Sequence, residues 1–206
     1  MERSEMMDIG NFIKLARKRR SVRAYRNDKV DKEAIDRILE CARWAPSGFN
    51  HQPCRYVIIR KEEDKKRLLK AVEFEQVSAE AATWGVKARV PLYMLDAAAI
   101  IAVCIDRNSK GRLPANRTGI TADKIYYSNA AIAAQNIMLA AAALDLGTVL
   151  YTVGCEEEYQ DMYRDALEVD YNIELYCLIP VGKPLEEFKE PSEDFRKPVK
   201  DLLIKV

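Results

Sequence analysis

Residues 97–106 read Ala-Ala-Ala-Ile-Ile-Ala-Val-Cys-Ile-Asp, an apolar run of strand length without polar alternation. Successive side chains of a strand point to opposite faces, so a strand with one wet face alternates apolar and polar residues. An unbroken apolar run therefore predicts a strand covered on both sides. Working outward, Arg55–Arg60 (RYVIIR), Gly147–Thr152 and Ile173–Val181 (IELYCLIPV) read as further strands. Between them lie helical patterns: Asn11–Arg20, Glu62–Val72 with a second segment through Ala88, Ala122–Leu144 and Glu156–Leu167. A further helix starts at Asp31, a good N-cap, and carries Ala34, Ile35, Ile38, Leu39 and Ala42 at helical spacing. It is expected to stop near Trp44, because Pro46 disfavours helical geometry at Ala45. Strands alternate with helices, so the class is α/β or α+β around one central sheet covered on both faces. No internal repeat or low-complexity segment interrupts the pattern.

Composition narrows the function classes. The chain has 206 residues, 49% hydrophobic and 32% charged, which suits one ordinary globular domain spanning 1–206. A net charge of +1 provides no field for nucleic acid or an anionic membrane. The five cysteines (Cys41, Cys54, Cys104, Cys155 and Cys177) are scattered and odd in number, predicting reduced packing thiols in a cytoplasmic protein. With His51 the only histidine, no metal site is expected. The N-terminus shows no apolar leader and no stretch is long enough to span a bilayer, so a signal peptide and membrane helices are not expected.

Two stretches carry chemistry. Lys18-Arg19-Arg20-Ser21-Val22-Arg23 gathers guanidinium groups and a hydroxyl where a helix meets a loop. Arginine offers a forked donor set, which makes this a phosphate clamp or, read by itself, a solvated basic face. Ala45-Pro46-Ser47-Gly48-Phe49-Asn50-His51-Gln52-Pro53 leads directly into the first strand. Its prolines fix the backbone, Gly48 permits close approach, and Ser47, Asn50 and Gln52 supply short polar groups. That suits a polar heteroaromatic ligand, or a turn that satisfies its own backbone.

Taken together, RRSxRxY, a helix ending in APSxxNxQP, and a following apolar strand resemble the N-terminal half of the nitroreductase family. Later segments agree: Ala133-Ala134-Gln135-Asn136, Leu144-Asp145-Leu146-Gly147-Thr148, Ile179-Pro180-Val181-Gly182-Lys183-Pro184 and Arg196-Lys197-Pro198. The resemblance runs from about Phe12 to Leu203. It implies an α+β fold: a three-layer sandwich with a central, mostly antiparallel sheet flanked by helices, in an intertwined homodimer whose sites are built from both chains. It also implies FMN as cofactor. Arg19, Arg20 and Ser21 would hold the phosphate and ribityl chain, and Arg196 would complete the phosphate clamp. Arg23 would sit at the N1–C2=O edge of the flavin, where its charge stabilises the reduced ring. Pro46, Ser47, Gly48 and Asn50 would come from the partner chain. Tyr151, Thr152 and Gly154 would bring backbone groups to the ring. Family members often have glutamate and glycine where this sequence has Thr152 and Val153, and a basic residue where it has Asp194.

The implied reaction is an FMN-dependent NAD(P)H oxidoreductase, with the chemistry on flavin N5 and no catalytic side chain. NADH or NADPH is the donor, and a nitroaromatic, quinone or similar small electron-poor molecule is the acceptor. Dehalogenation or flavin breakdown on the same site, or FMN storage without turnover, are the alternatives. Phe74, Trp84 and Tyr93 fall where the family places a substrate cap, or form a helical core face. Residues 107–121 read as a lid excursion, residues 185–206 as an extension reaching the partner, and His51 as a loop or surface residue.

Overall fold

The computed structural model describes residues 8–82, 89–112, 118–187 and 191–204. In chain order the helices are α1 (Ile9–Lys18), α2 (Lys32–Arg43), α3 (Glu62–Ala82), α4 (Ile120–Ala143) and α5 (Glu157–Leu167). The strands are β1 (Cys54–Ile59), β2 (Ala99–Asp106), β3 (Gly147–Thr148), β4 (Tyr151–Thr152) and β5 (Ile173–Gly182).

The sheet order is β1-β2-β5-β3, with β4 also on β5, and every strand pair is antiparallel. β2 is central, and its period of two divides the core. Ala99, Ile101, Val103 and Ile105 face α2 and α4, packing with Ile35, Ile38, Tyr126 and Ile137. Ile100, Ala102 and Cys104 face α3 and α5, packing with Leu68, Val72, Tyr163 and Leu167. Each fully buried isoleucine in this strand contributes roughly 1.5–3 kcal/mol. A helix layer, the sheet and a second helix layer form an α+β sandwich. Among the described residues, no helix is long and apolar enough to cross a membrane.

The sequence places most elements closely. Asp31 caps α2, its carboxylate accepting from Ala34 N at 2.6 Å, and Trp44 ends the helix. Residues 62–82 form one helix where two segments were expected. Trp84 and the rest of the expected segment, residues 83–88, lie outside the described residues. The strand expected over Gly147–Thr152 is split into β3 and β4. Both nevertheless hold one register on β5: Thr148 faces Val181 and Tyr151 faces Leu178. The break falls opposite Pro180, which has no N–H to give the ladder. Of the 107–121 excursion, Arg107–Arg112 is a 3-10 turn, Ile120 and Thr121 already belong to α4, and 113–117 lie outside the described residues. Arg107 is fixed there by Glu174, by Asp123 at 2.8 Å and by the Tyr127 hydroxyl. All five cysteines are free. Cys104 and Cys177 are buried and Cys54 is half-buried, but Cys41 and Cys155 are exposed rather than packed.

Candidate active site

The basic stretch is positioned by the end of α1. Arg19 closes the helix, its N–H donating to Leu15 O at 3.1 Å, and the chain then turns extended. Val22 N donates to Thr148 O at 2.9 Å, Arg26 N to Lys183 O at 2.9 Å, and Leu185 N to Ala24 O at 3.0 Å. This segment lies on the sheet edge because Gly147 leaves room for it. A Cβ there would come 2.5 Å from Val22 Cγ2.

Arg19, Arg20 and Arg196 converge beside that edge. The Arg20 guanidinium lies 4.4 Å from the centre of the Phe195 ring, and Arg196 lies 4.6 Å from the same centre. Arg19 is half-buried, and its pKa is held below the usual arginine value by burial first, then by the charges of Arg196 and Arg20. Among the described residues no carboxylate pairs with any of these three. Like charges gathered without a paired carboxylate repel one another, so the three guanidiniums can hold an anion, with Asp145, Glu186 and Glu187 also lining the neighbouring cleft. Arg19 and Arg20 line an open cleft of about 960 Å³ whose wall includes Lys14, Lys183, Gly147 and Thr148. Arg17 ties the C-terminal segment to α1 through Glu193 at 2.7 Å. Ser21 is exposed at the same corner, bridged to Thr148.

Arg23 does not line this cleft. It is exposed. Tyr93 packs on Val22, Tyr25 and Ala97.

β4 follows four residues beyond Gly147. Tyr151 turns its side chain into the α3/α5 layer, where its hydroxyl is buried without a hydrogen-bond partner among the described residues. Burial, then the nearby Glu75 carboxylate, pushes this phenol up to about 12. Glu75 is buried and accepts from the Tyr163 hydroxyl at 2.5 Å. Thr152 is exposed on the other side of the strand. Gly154 gives its carbonyl to Gln160 Nε2 at 2.7 Å, and a Cβ there would meet the Tyr159 ring at 2.6 Å.

The loop from Pro46 to Asn50 stands apart from the cleft. Gly48 N donates to Asn129 Oδ1 on α4 at 3.0 Å, and Gln52 N donates to Ser47 Oγ at 3.1 Å. Pro53 O accepts from Asp106 N at 2.9 Å. Phe49, Asn50 and Gln52 all take left-handed backbone conformations, with φ of 58°, 51° and 50°. Three such non-glycine residues within four positions store strain, which clusters at functional sites. Trp44 and Phe49 are exposed beside this loop. His51 is not a surface residue: it is buried, pairs with Ser109 O, and sits 5.1 Å from the Tyr126 ring. It anchors the loop.

Thus Arg19, Arg20, Ser21 and Arg196 share one corner, and Tyr151, Thr152 and Gly154 continue from its wall. Pro46, Ser47, Gly48 and Asn50 lie elsewhere in the protomer. Sequence reading passed over Phe195 and Asn129 as participants. Asn129 left a signal, a polar residue within an alanine-rich helix; Phe195 left none beyond its neighbour Arg196.

Comparison with known proteins gives this arrangement its family. The nitroreductase family model matches residues 16–183. The chain belongs to the nitroreductase family. A relative from Archaeoglobus fulgidus, provisionally named an NADH dehydrogenase/NAD(P)H nitroreductase, is 28% identical over 89% of this chain and 92% of its own. The iodotyrosine deiodinase of Danio rerio is 28% identical over 98% of this chain and 70% of its own. A provisionally assigned nitroreductase from Desulfovibrio desulfuricans, solved in complex with FMN, superposes with a TM-score of 0.69 at 29% identity. That match covers 94% of this chain and 95% of the other. The nitroreductase match includes Arg19–Arg23, the Pro46 loop and β3–β4, and stops before Arg196. Phe195 and Arg196 lie beyond that family match.

Proposed function

We propose that this nitroreductase-family chain binds FMN and works in the cytoplasm as a homodimeric NAD(P)H oxidoreductase. Its acceptor is a small electron-poor molecule, such as a nitroaromatic or a quinone. The observation that carries this reading is the convergence of Arg19, Arg20 and Arg196 without a carboxylate partner among the described residues. A phosphate monoester would relieve their mutual repulsion and accept several charge-assisted hydrogen bonds. The residues present thus fit FMN.

In this reading Arg19, Arg20 and Arg196 hold the phosphate, with the Ser21 hydroxyl beside them. Arg23 places a positive charge at the polar edge of the ring, and the backbone of Tyr151, Thr152 and Gly154 closes the site along β4. Pro46, Ser47, Gly48 and Asn50 come from the partner chain, which accounts for their absence from the basic cleft. α1 supports that assembly: it has no buried residue and exposes Ile9, Phe12 and Ile13. The segment 185–206 reaches the partner, and it exposes Val199, Leu202, Leu203 and Ile204. When bound, FMN would supply two-electron transfer from the nicotinamide to the acceptor. The side chains bind, orient and exclude water.

Anaerobic addition of NADH or NADPH to the purified yellow protein tests this reading. Bleaching of the flavin bands within seconds, and their return with a nitroaromatic, is expected. A flavin that stays oxidised would favour the second reading, reductive dehalogenation on the same site, for which the deiodinase similarity speaks. A colourless protein that does not take up FMN would sink both.

A further inference from the structure

The loop from Ser47 to Gln52 is bent against the preferences of its residues. Phe49, Asn50 and Gln52 hold φ of 58°, 51° and 50°, the left-handed region that side chains with a Cβ avoid. The Phe49 ring is exposed, so its own burial does not offset that cost. Two bonds close the loop on itself, Asn50 N to Ser47 O at 2.9 Å and His51 N to Gly48 O at 3.1 Å.

Three further contacts come from outside the loop. Asn129 on α4 accepts from Gly48 N at 3.0 Å, and Arg55 on β1 donates to Gln52 O at 3.1 Å. The third is made by His51, the one buried residue of 47–52. Its Nε2 pairs with Ser109 O in the 3-10 turn Arg107–Arg112. A carbonyl only accepts, so this nitrogen donates. The receiving end is braced. Ser109 Oγ donates to Asp106 O at 2.6 Å, and Asp106 N in turn donates to Pro53 O at 2.9 Å. The Arg107 guanidinium lies 4.8 Å from the centre of the buried Tyr126 ring and is itself held by Asp123 at 2.8 Å. His51 rests on that same ring, 5.1 Å away. A strained segment is thus tied to a braced turn by one buried side chain.

We propose that residues 47–52 form a strained strap with a latched and a released position, and that the His51–Ser109 bond is the catch between them. With the catch made, the strap keeps its three left-handed residues. With the catch broken, opening the loop relieves the strain while the sheet, built on the buried β2, stays intact. Under the FMN reading above, on which this part rests, the loop lies over the partner chain's flavin. There the strap sets how fast FMN enters and leaves.

The test uses the full-length, FMN-loaded protein and four variants: His51→Leu, His51→Gln, Phe49→Gly, and His51→Leu combined with Phe49→Gly. Amide exchange is followed by mass spectrometry, and FMN release is timed after dilution. His51→Leu should speed exchange over 47–52 about tenfold and leave β2 unchanged. His51→Gln can still donate to Ser109 O and should recover most of the protection. Phe49→Gly should act in the opposite sense, slowing exchange at 50–52 about threefold against its parent, because glycine adopts the left-handed turn without strain. FMN release should quicken in His51→Leu in proportion to loop exchange. Loop exchange that does not change in His51→Leu, that rises together with β2, or that His51→Gln fails to recover would overturn the catch. Faster exchange in Phe49→Gly would overturn the stored strain. A faster loop with unchanged FMN release would overturn the flavin part and remove the loop from the flavin. A protein that binds no FMN contradicts the functional reading, while the exchange rates still decide the strap.

Discussion

Gly147 and Val22 meet with no space between them: a Cβ on Gly147 would lie 2.5 Å from Val22 Cγ2 and 2.8 Å from Val22 Cβ. This contact seats the extended 21–26 segment against β3, and so sets the height of Arg19, Arg20 and Ser21 above the cleft. Gly147→Ala should therefore destabilise the fold by about 1–3 kcal/mol, the usual cost of overpacking. It should also weaken FMN binding. Urea unfolding and a flavin titration on the same preparation check both effects. Wild-type stability would show that Val22 can move aside freely.

Phe195 lies between two guanidiniums, Arg20 at 4.4 Å and Arg196 at 4.6 Å. The ring attracts each cation and moderates their repulsion, by about 0.5–1 kcal/mol per contact at an exposed site. Phe195→Ala is expected to weaken FMN about threefold to tenfold, whereas Phe195→Tyr should retain affinity. Isothermal titration of the apoprotein reads the difference. An unchanged Kd for the alanine variant would remove Phe195 from the site.

Asn129 on α4 supplies the acceptor for Gly48 N at 3.0 Å. Removing it leaves that donor without a partner beneath a loop that already holds Phe49, Asn50 and Gln52 in left-handed conformations. Asn129→Ala should cost about 1–3 kcal/mol. It should also speed amide exchange at 47–52 before it affects β2. Exchange followed by mass spectrometry distinguishes this from general loosening.

Alkaline pH tests the buried acids. Burial pushes the Cys54 thiol up to about 11, Cys104 up to about 12, and the Tyr151 and Tyr127 phenols up to about 12. Each of these folded-state values is raised above its unfolded value. Their stabilisation is therefore complete below about pH 9 and is lost as pH climbs toward 12. Lys65, lowered by burial, acts in the opposite sense as pH approaches the usual lysine value, but it is one group against four. Urea midpoints should fall steadily above pH 9, and Tyr151→Phe should flatten the part of the fall above pH 10. A midpoint rising through that range would contradict these burials.

The fold was legible where local chemistry and burial agree. Asp31, Pro46 and the apolar run ending at Ile105 each had one physical reading, and each element formed there. The division of 147–152 was not legible locally, because its cause, Pro180, lies on another strand. The site was legible where a motif is contiguous, as in Arg19–Arg23 or the Pro46 loop. Phe195 beside Arg20 joins residues far apart in sequence, and only packing reveals the pair. His51 belongs to its loop as read, but its burial was not legible for the same reason: Tyr126 and Ser109 cover it, and neither is near it in the chain.

The central claim is that three converging arginines recognise the phosphate of FMN. The most direct measurement compares apoprotein affinities for FMN and riboflavin, which differ only by that group, by flavin fluorescence quenching. FMN should bind at least about 100-fold more tightly, and Arg19→Ala should cut that ratio about tenfold by weakening FMN alone. Equal affinities for FMN and riboflavin, or an Arg19→Ala variant that weakens both alike, would contradict the account.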